Sequence, residues 1–128
     1  MTRFADPQLA ALSILRAAAP GVAFGTKAVD EYPDGGAPGL PYVQVRAGAA
    51  AVRWPVAAVA PLRIVAWADT GAAATALAWQ LHGVLLDFRH GRDIRSFAPE
   101  LGPLPAADPD TSRPLCSFSV LARLRPQR

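Results

Sequence analysis

The stretch from Pro61 to Arg89, PLRIVAWADTGAAATALAWQLHGVLLDFR, constrains the fold more than any other part of the chain. Leu62, Ile64 and Ala66 alternate with Arg63, Val65 and Trp67, the period of two of a strand with two distinct faces. Asp69 or Thr70 then offers a side-chain oxygen to an unpaired amide of a first helical turn. Beyond it Leu77, Leu81, Val84, Leu85 and Phe88 fall on one helical stripe, extended by Ala73, Ala74 and Ala78. A long helix laid over a sheet that contains the preceding strand is the expected core.

The flanking segments add elements to this unit. Asp6-Pro7 opens a first helix, with Asp6 as cap and Pro7 at the first helical position, and Pro20-Gly21 stops it. Leu9, Leu12 and Arg16 share a stripe of that helix, with Leu15 beside it. Val22–Lys27 reads as a short strand, and Tyr42–Arg46 as a clear alternating one. Ala51–Val56 reads as a return strand, making a hairpin with Tyr42–Arg46 that leads into Leu62–Trp67. Ile94–Phe97 reads as another short strand. Leu115–Arg125 closes the chain, with Cys116, Phe118, Val120, Ala122 and Leu124 on one face. Two stretches rich in turn residues, 30–41 and 99–114, read as irregular connections, because proline disfavours pairing inside a sheet. The expected fold is a single α+β domain over 1–128: a mostly antiparallel sheet of about four to six strands, with the N-terminal helix and the long helix on one face.

With 128 residues, 52% of them hydrophobic, the chain can support its own core. No apolar run approaches the roughly 20 residues of a membrane span, and the N-terminus lacks a signal-peptide pattern, so a soluble protein made in the cytoplasm is expected. The formal charge of +3 is carried almost wholly by arginine, Lys27 being the sole lysine. Arginine bias can reflect recognition of carboxylates or phosphates, or simply a GC-rich coding sequence. A single cysteine, Cys116, excludes an internal disulfide and reads as a small buried residue.

Catalytic chemistry finds little support. His82, read as lying opposite the leucine stripe, and His90, in a turn, have no cysteine or second histidine at metal-ligand spacing. Cys116 and His82 lack a nucleophile motif around them. Asp87, Asp108 and Asp110 read as solvated, and Asp34-Gly35-Gly36 as a turn without the lysine-led ending of a phosphate loop. No catalytic, cofactor-binding or metal residues are assigned, and the chain is not expected to be an enzyme.

Arginine and tryptophan placement points instead to surfaces. Arg89, Arg92 and Arg95 cluster between two elements, and Arg123 and Arg125 mark the end of the last strand. These groups either line a basic surface, meet acidic patches of a neighbouring subunit, or solvate element ends. Trp54 and Trp67 fall on strand positions and Trp79 off the leucine stripe. Tryptophan and arginine concentrate at interface hot spots, so these eight residues are the candidate subunit or partner interface.

Across almost the whole chain the order of segments resembles the tail terminator (tail-completion) proteins of long-tailed bacteriophages. The resemblance is carried by the N-terminal helix and by a Gly/Pro-rich stretch entering Leu40-Pro41-Tyr42-Val43-Gln44-Val45. It continues through the Pro61–Ala68 strand into the alanine-rich helix at Asp69-Thr70, Gly102-Pro103, Asp108-Pro109-Asp110, and Arg113-Pro114 before the closing strand. It implies a ring of copies of this chain, commonly a hexamer, seated on the major tail tube protein and offering a docking surface to the head–tail connector. Genomic DNA would pass through the lumen without sequence-specific binding. The location implied is the virion tail or neck, assembled in the host cytoplasm, with no reaction, cofactor or membrane partner. A head–tail adaptor or head-closure protein is the alternative. A small ligand-binding domain is another, which a concave pocket lined by Trp79, His82 or Cys116 with converging polar groups would favour.

Overall fold

The computed structural model describes residues 1–32, 39–109 and 111–128. The eleven-residue strand that precedes the long helix is its spine. Elements follow in the order β1 (Arg3–Phe4), α1 (Pro7–Ala18), β2 (Ala23–Gly25), a 3-10 turn (Val29–Glu31), β3 (Tyr42–Ala47), β4 (Ala51–Arg53), β5 (Ala57–Trp67), α2 (Gly71–Asp87), β6 (Ile94–Ala107), β7 (Pro114–Leu124) and β8 (Pro126–Gln127). The main sheet is ordered β2-β3-β5-β7-β6, with β4 also paired to β5. Among the described residues β2 and β3 are the one parallel pair; the other pairings are antiparallel. The architecture is α+β, as the alternation and helical periods imply.

β5 begins five residues earlier than its hydrophobic alternation suggests. β3 pairs with Leu62–Trp67 while β4 pairs with Ala57–Val59, so β4 forms its hairpin with β5 and not with β3. Pro61 is tolerated inside this central strand because β3 and β4 hand over there. Its carbonyl accepts from Gly48 N at 2.9 Å, so the side on which it lacks an amide is the side where the chain reverses. A Cβ on Gly48 would meet the Pro61 ring at 2.9 Å, which is why that corner takes glycine.

Both helices cover one face. Asp6 Oδ1 accepts from Gln8 N and Leu9 N, and Thr70 Oγ1 accepts from Ala73 N at 3.1 Å, so Thr70 rather than Asp69 is the second cap. α1 buries Ala11, Leu12 and Leu15; Leu9, expected on that stripe, is exposed. α2 buries Ala74, Ala78, Leu81 and Leu85, successive members of one stripe at steps of four, three and four. Leu77, Val84 and Phe88 flank that stripe half-buried, while Ala73 faces solvent. The helices meet Val43, Val45, Leu62, Ile64, Phe118 and Val120 in one core. On the other face of the sheet Val29, Tyr42, Val65, Trp67 and Leu115 form a second, smaller cluster.

The largest departure from expectation is β6. Residues 99–107, read as an irregular connection, continue the strand begun at Ile94. β6 is the edge of the sheet: beyond a single bridge from Ser96 to Arg89, its described pairing is with β7, so Pro99, Pro103 and Pro105 cost no second ladder of hydrogen bonds. Breaks in register between Pro99 and Leu101 and between Leu101 and Leu104 absorb the remaining mismatch. The other turn-rich stretch falls partly on residues 33–38, outside those described, as do Asp34-Gly35-Gly36 and Asp110.

Candidate interaction surfaces

The β4–β5 hairpin ends in an apolar knob. Val52 on β4 and Trp54 and Val56 in the turn stand in solvent, and Trp54 is 62% exposed. One neighbour supports it: Phe4 of β1 stands edge-on to the indole, ring centres 6.1 Å apart. β1 is itself held by β8, so the two chain ends buttress the knob.

Across the sheet, beside the outer strand, lies an apolar groove of about 540 Å³. Trp79, 56% exposed on α2, forms one wall, and Leu101 and Leu104 of β6, 68% and 67% exposed, form the other. The register breaks of β6 open this edge opposite Ser117, Phe118 and Ser119. Arg63 closes the groove with a guanidinium that is exposed and has no partner among the described residues. The Ser119 hydroxyl is buried and likewise unpartnered there. In the sheet order β5 and β7 separate β4, which carries Val52 of the knob, from β6, which carries Leu101 and Leu104 of the groove.

The arginines gather at one corner of the molecule. Arg89, Arg95 and Arg125 line a concavity of about 360 Å³ with His90 and Ser96. Arg89 Nη1 donates to the carbonyls of Leu86 and Phe88 at 2.6 and 2.8 Å, answering orphan acceptors at the end of α2. Arg125 Nε donates to Gly91 O at 2.7 Å. Arg123 Nη1 reaches Ser96 Oγ at 3.4 Å, and Arg92, exposed, lies outside the concavity's lining. Part of the cluster's role is therefore local: it ties the turn after α2 to the end of β7.

Trp67 is not a surface residue. It is 3% exposed, stacked on Tyr42 with ring centres 5.9 Å apart, and its Nε1 donates to Asp108 Oδ2 at 3.3 Å. Asp108, read as solvated, is buried at this point and also accepts from Thr111 N. His82 does not face away from the core: half-buried, it stands edge-on between Trp79 and Phe118 at 5.6 and 5.1 Å. Cys116 is buried as expected, and burial pushes its thiol above the ordinary range. Among the described residues no three His, Cys, Asp or Glu side chains form a metal-holding group, and no helix is long and apolar enough to cross a membrane.

Sequence reasoning missed Val52, Val56, Leu101 and Leu104. Their positions follow from a hairpin assigned to the wrong partner strand and from an edge strand concealed by its prolines. Comparison of the sequence with protein-family models and with curated proteins finds no match to either.

Proposed function

We propose that the chain is a structural virion protein that caps a phage tail tube as a ring, stopping tube growth and presenting a surface to the head connector. The observation that supports the reading is the placement of the knob around Trp54 and the groove between Trp79 and Leu104 on different flanks of one sheet. Two unlike apolar patches on one chain suit a head-to-tail contact, in which the knob of one copy enters the groove of the next. Such contacts close into rings when the rotation permits. Six side chains, of which each tryptophan offers on the order of 100–150 Å², fall short of the roughly 1,000 Å² of a persistent pairwise interface. Ring closure or the tube itself would supply the remainder. Termination is then competition: the ring covers the polymerising end of the tube and presents no equivalent surface.

The contact is testable by mixing two single-cysteine chains in a Cys116→Ala background, Trp54→Cys and Leu104→Cys. A disulfide between unlike variants, and none between two Trp54→Cys chains, is the expected result; knob-to-knob disulfides alone would contradict it. The role is tested by electron microscopy of tails from particles lacking the protein. Overlong tails are expected, whereas tails of normal length that fail to join heads would assign the adaptor role.

The groove also favours a second reading, a small ligand-binding domain, because an apolar cleft with Arg63, Ser117 and Ser119 at its edge suits an amphiphilic anion. A chain that stays monomeric at high concentration and binds such a molecule would support it.

A further inference from the structure

The concavity at the end of α2 carries a proposal independent of the ring. We infer that Arg89, Arg95 and Arg125, with His90 and Ser96, form an oxyanion site that takes the phosphate group of a phosphate ester.

The corner brings together five arginines, Arg89, Arg92, Arg95, Arg123 and Arg125, against two nearby aspartates, Asp87 and Asp93. Neither aspartate lies within 4.0 Å of any of these guanidiniums; among the described residues the one ion pair joins Arg46 to Glu31. Asp93 lines a separate, smaller cavity on the other side of the turn, with Ser13 and Arg92. Three arginines therefore line one hollow with no acidic partner for them among the described residues. The carbonyl end of α2 opposes an anion here, but Arg89 already occupies the carbonyls of Leu86 and Phe88.

Geometry strengthens the case. Two of the three guanidiniums are held in place from behind: Arg89 by one nitrogen, Nη1, and Arg125 by Nε on Gly91 O. Each keeps further N–H groups without a partner among the described residues, already oriented, so less side-chain entropy is lost when a ligand binds. Arg95 makes no side-chain hydrogen bond there and can close on the ligand. The wall between them is a constrained turn. His90 adopts a left-handed φ of 62° and its amide donates to Arg95 O at 2.9 Å. A non-glycine residue held in that region is stored strain of the kind that gathers at ligand sites. Next to it Gly91 approaches Ile94 O and the Phe88 ring so closely that no Cβ fits.

The ligand class follows from charge and size. A phosphate ester carries up to two negative charges and three free oxygens, so it accepts from several guanidinium forks at once, whereas a carboxylate ligand offers one charge and two oxygens. A hollow of about 360 Å³ has room beyond one phosphate for part of the group that carries it. Small phosphorylated molecules and the backbone of a nucleic acid share this chemistry.

Titration of the full chain at fixed ionic strength, followed by amide and arginine side-chain NMR, tests the site with inorganic phosphate, glycerol phosphate and acetate in parallel. Saturable shifts at His90, Arg95 and Ser96 with the two phosphates, at least tenfold weaker with acetate, are expected. Arg95→Gln should weaken phosphate binding tenfold or more, Arg95→Lys less, and Arg92→Gln should leave it unchanged. Equal response to acetate, no saturation, or indifference to Arg95→Gln would overturn the proposal. Adding a short DNA duplex then separates the sources: displacement of glycerol phosphate points to a nucleic-acid backbone, and its persistence to a small phosphorylated molecule.

Discussion

Trp67 and Trp54 carry the same side chain on neighbouring stretches of sheet and meet opposite fates. Trp67 lies within a pairing that continues on both sides, against Tyr42 and Leu115, and its indole N–H finds Asp108. Trp54 lies in a turn, mostly exposed, with the Phe4 ring edge-on to it. Asp108→Ala removes a buried acceptor from both Trp67 Nε1 and Thr111 N, and is expected to cost about 1–3 kcal/mol in urea unfolding. Alkaline pH probes the same interior. Burial, then the neighbouring Tyr32 hydroxyl, holds the Tyr42 phenol far above its ordinary pKa, and burial raises the Cys116 thiol. Both groups keep their protons more tightly when folded. The stability this contributes is complete below the unfolded-state values, near 9 for Cys116 and 10 for Tyr42, and declines as pH rises past them. A urea midpoint that falls between pH 8.5 and 10.5, with a smaller fall in Cys116→Ala, is the expected outcome. Residue type alone could not separate the two tryptophans, because their exposure depends on which strand β4 chooses as partner.

At the scale of elements, the caps and stripes were legible. Asp6-Pro7 and Thr70 start helices where their side-chain oxygens meet first-turn amides, and the alternation of β7 from Cys116 to Leu124 is buried at every second residue. Thr70→Ala is expected to cost about 1 kcal/mol, and Leu81→Ala, at the centre of the α2 stripe, about 2–5 kcal/mol, both measurable by chemical denaturation. The start of β6, Ile94–Phe97, was legible, but its continuation through 99–107 was not, because proline argues against a strand unless the strand has an open side, and openness is a property of the sheet and not of the segment. That same edge explains why the prolines are useful. A fourteen-residue border strand would otherwise offer unpaired N–H and C=O groups to other chains. Replacing Pro99, Pro103 and Pro105 together by threonine is expected to leave the fold intact and promote aggregation, visible as light scattering at concentrations where the parent chain stays clear.

For the whole molecule, α+β architecture with both helices on one face followed from periodicity, but the interaction surfaces did not. The knob, the groove and the arginine hollow each join residues far apart in sequence: Phe4 with Trp54, Trp79 with Leu101, Arg89 with Arg125. The placement of the knob at β4 and of the groove's outer wall on β6 also has a genetic meaning under the proposed ring. A contact made of unlike halves lets a copy defective in one half still engage a neighbour through the other. A Trp54→Ala chain would enter assemblies by its groove and leave the next junction open. Expressed beside the normal protein as a tenth of the pool, it would spare only about half of six-membered rings, since all six junctions must close. Such an allele would behave as a dominant poison, whereas one that merely unfolds the chain would be recessive.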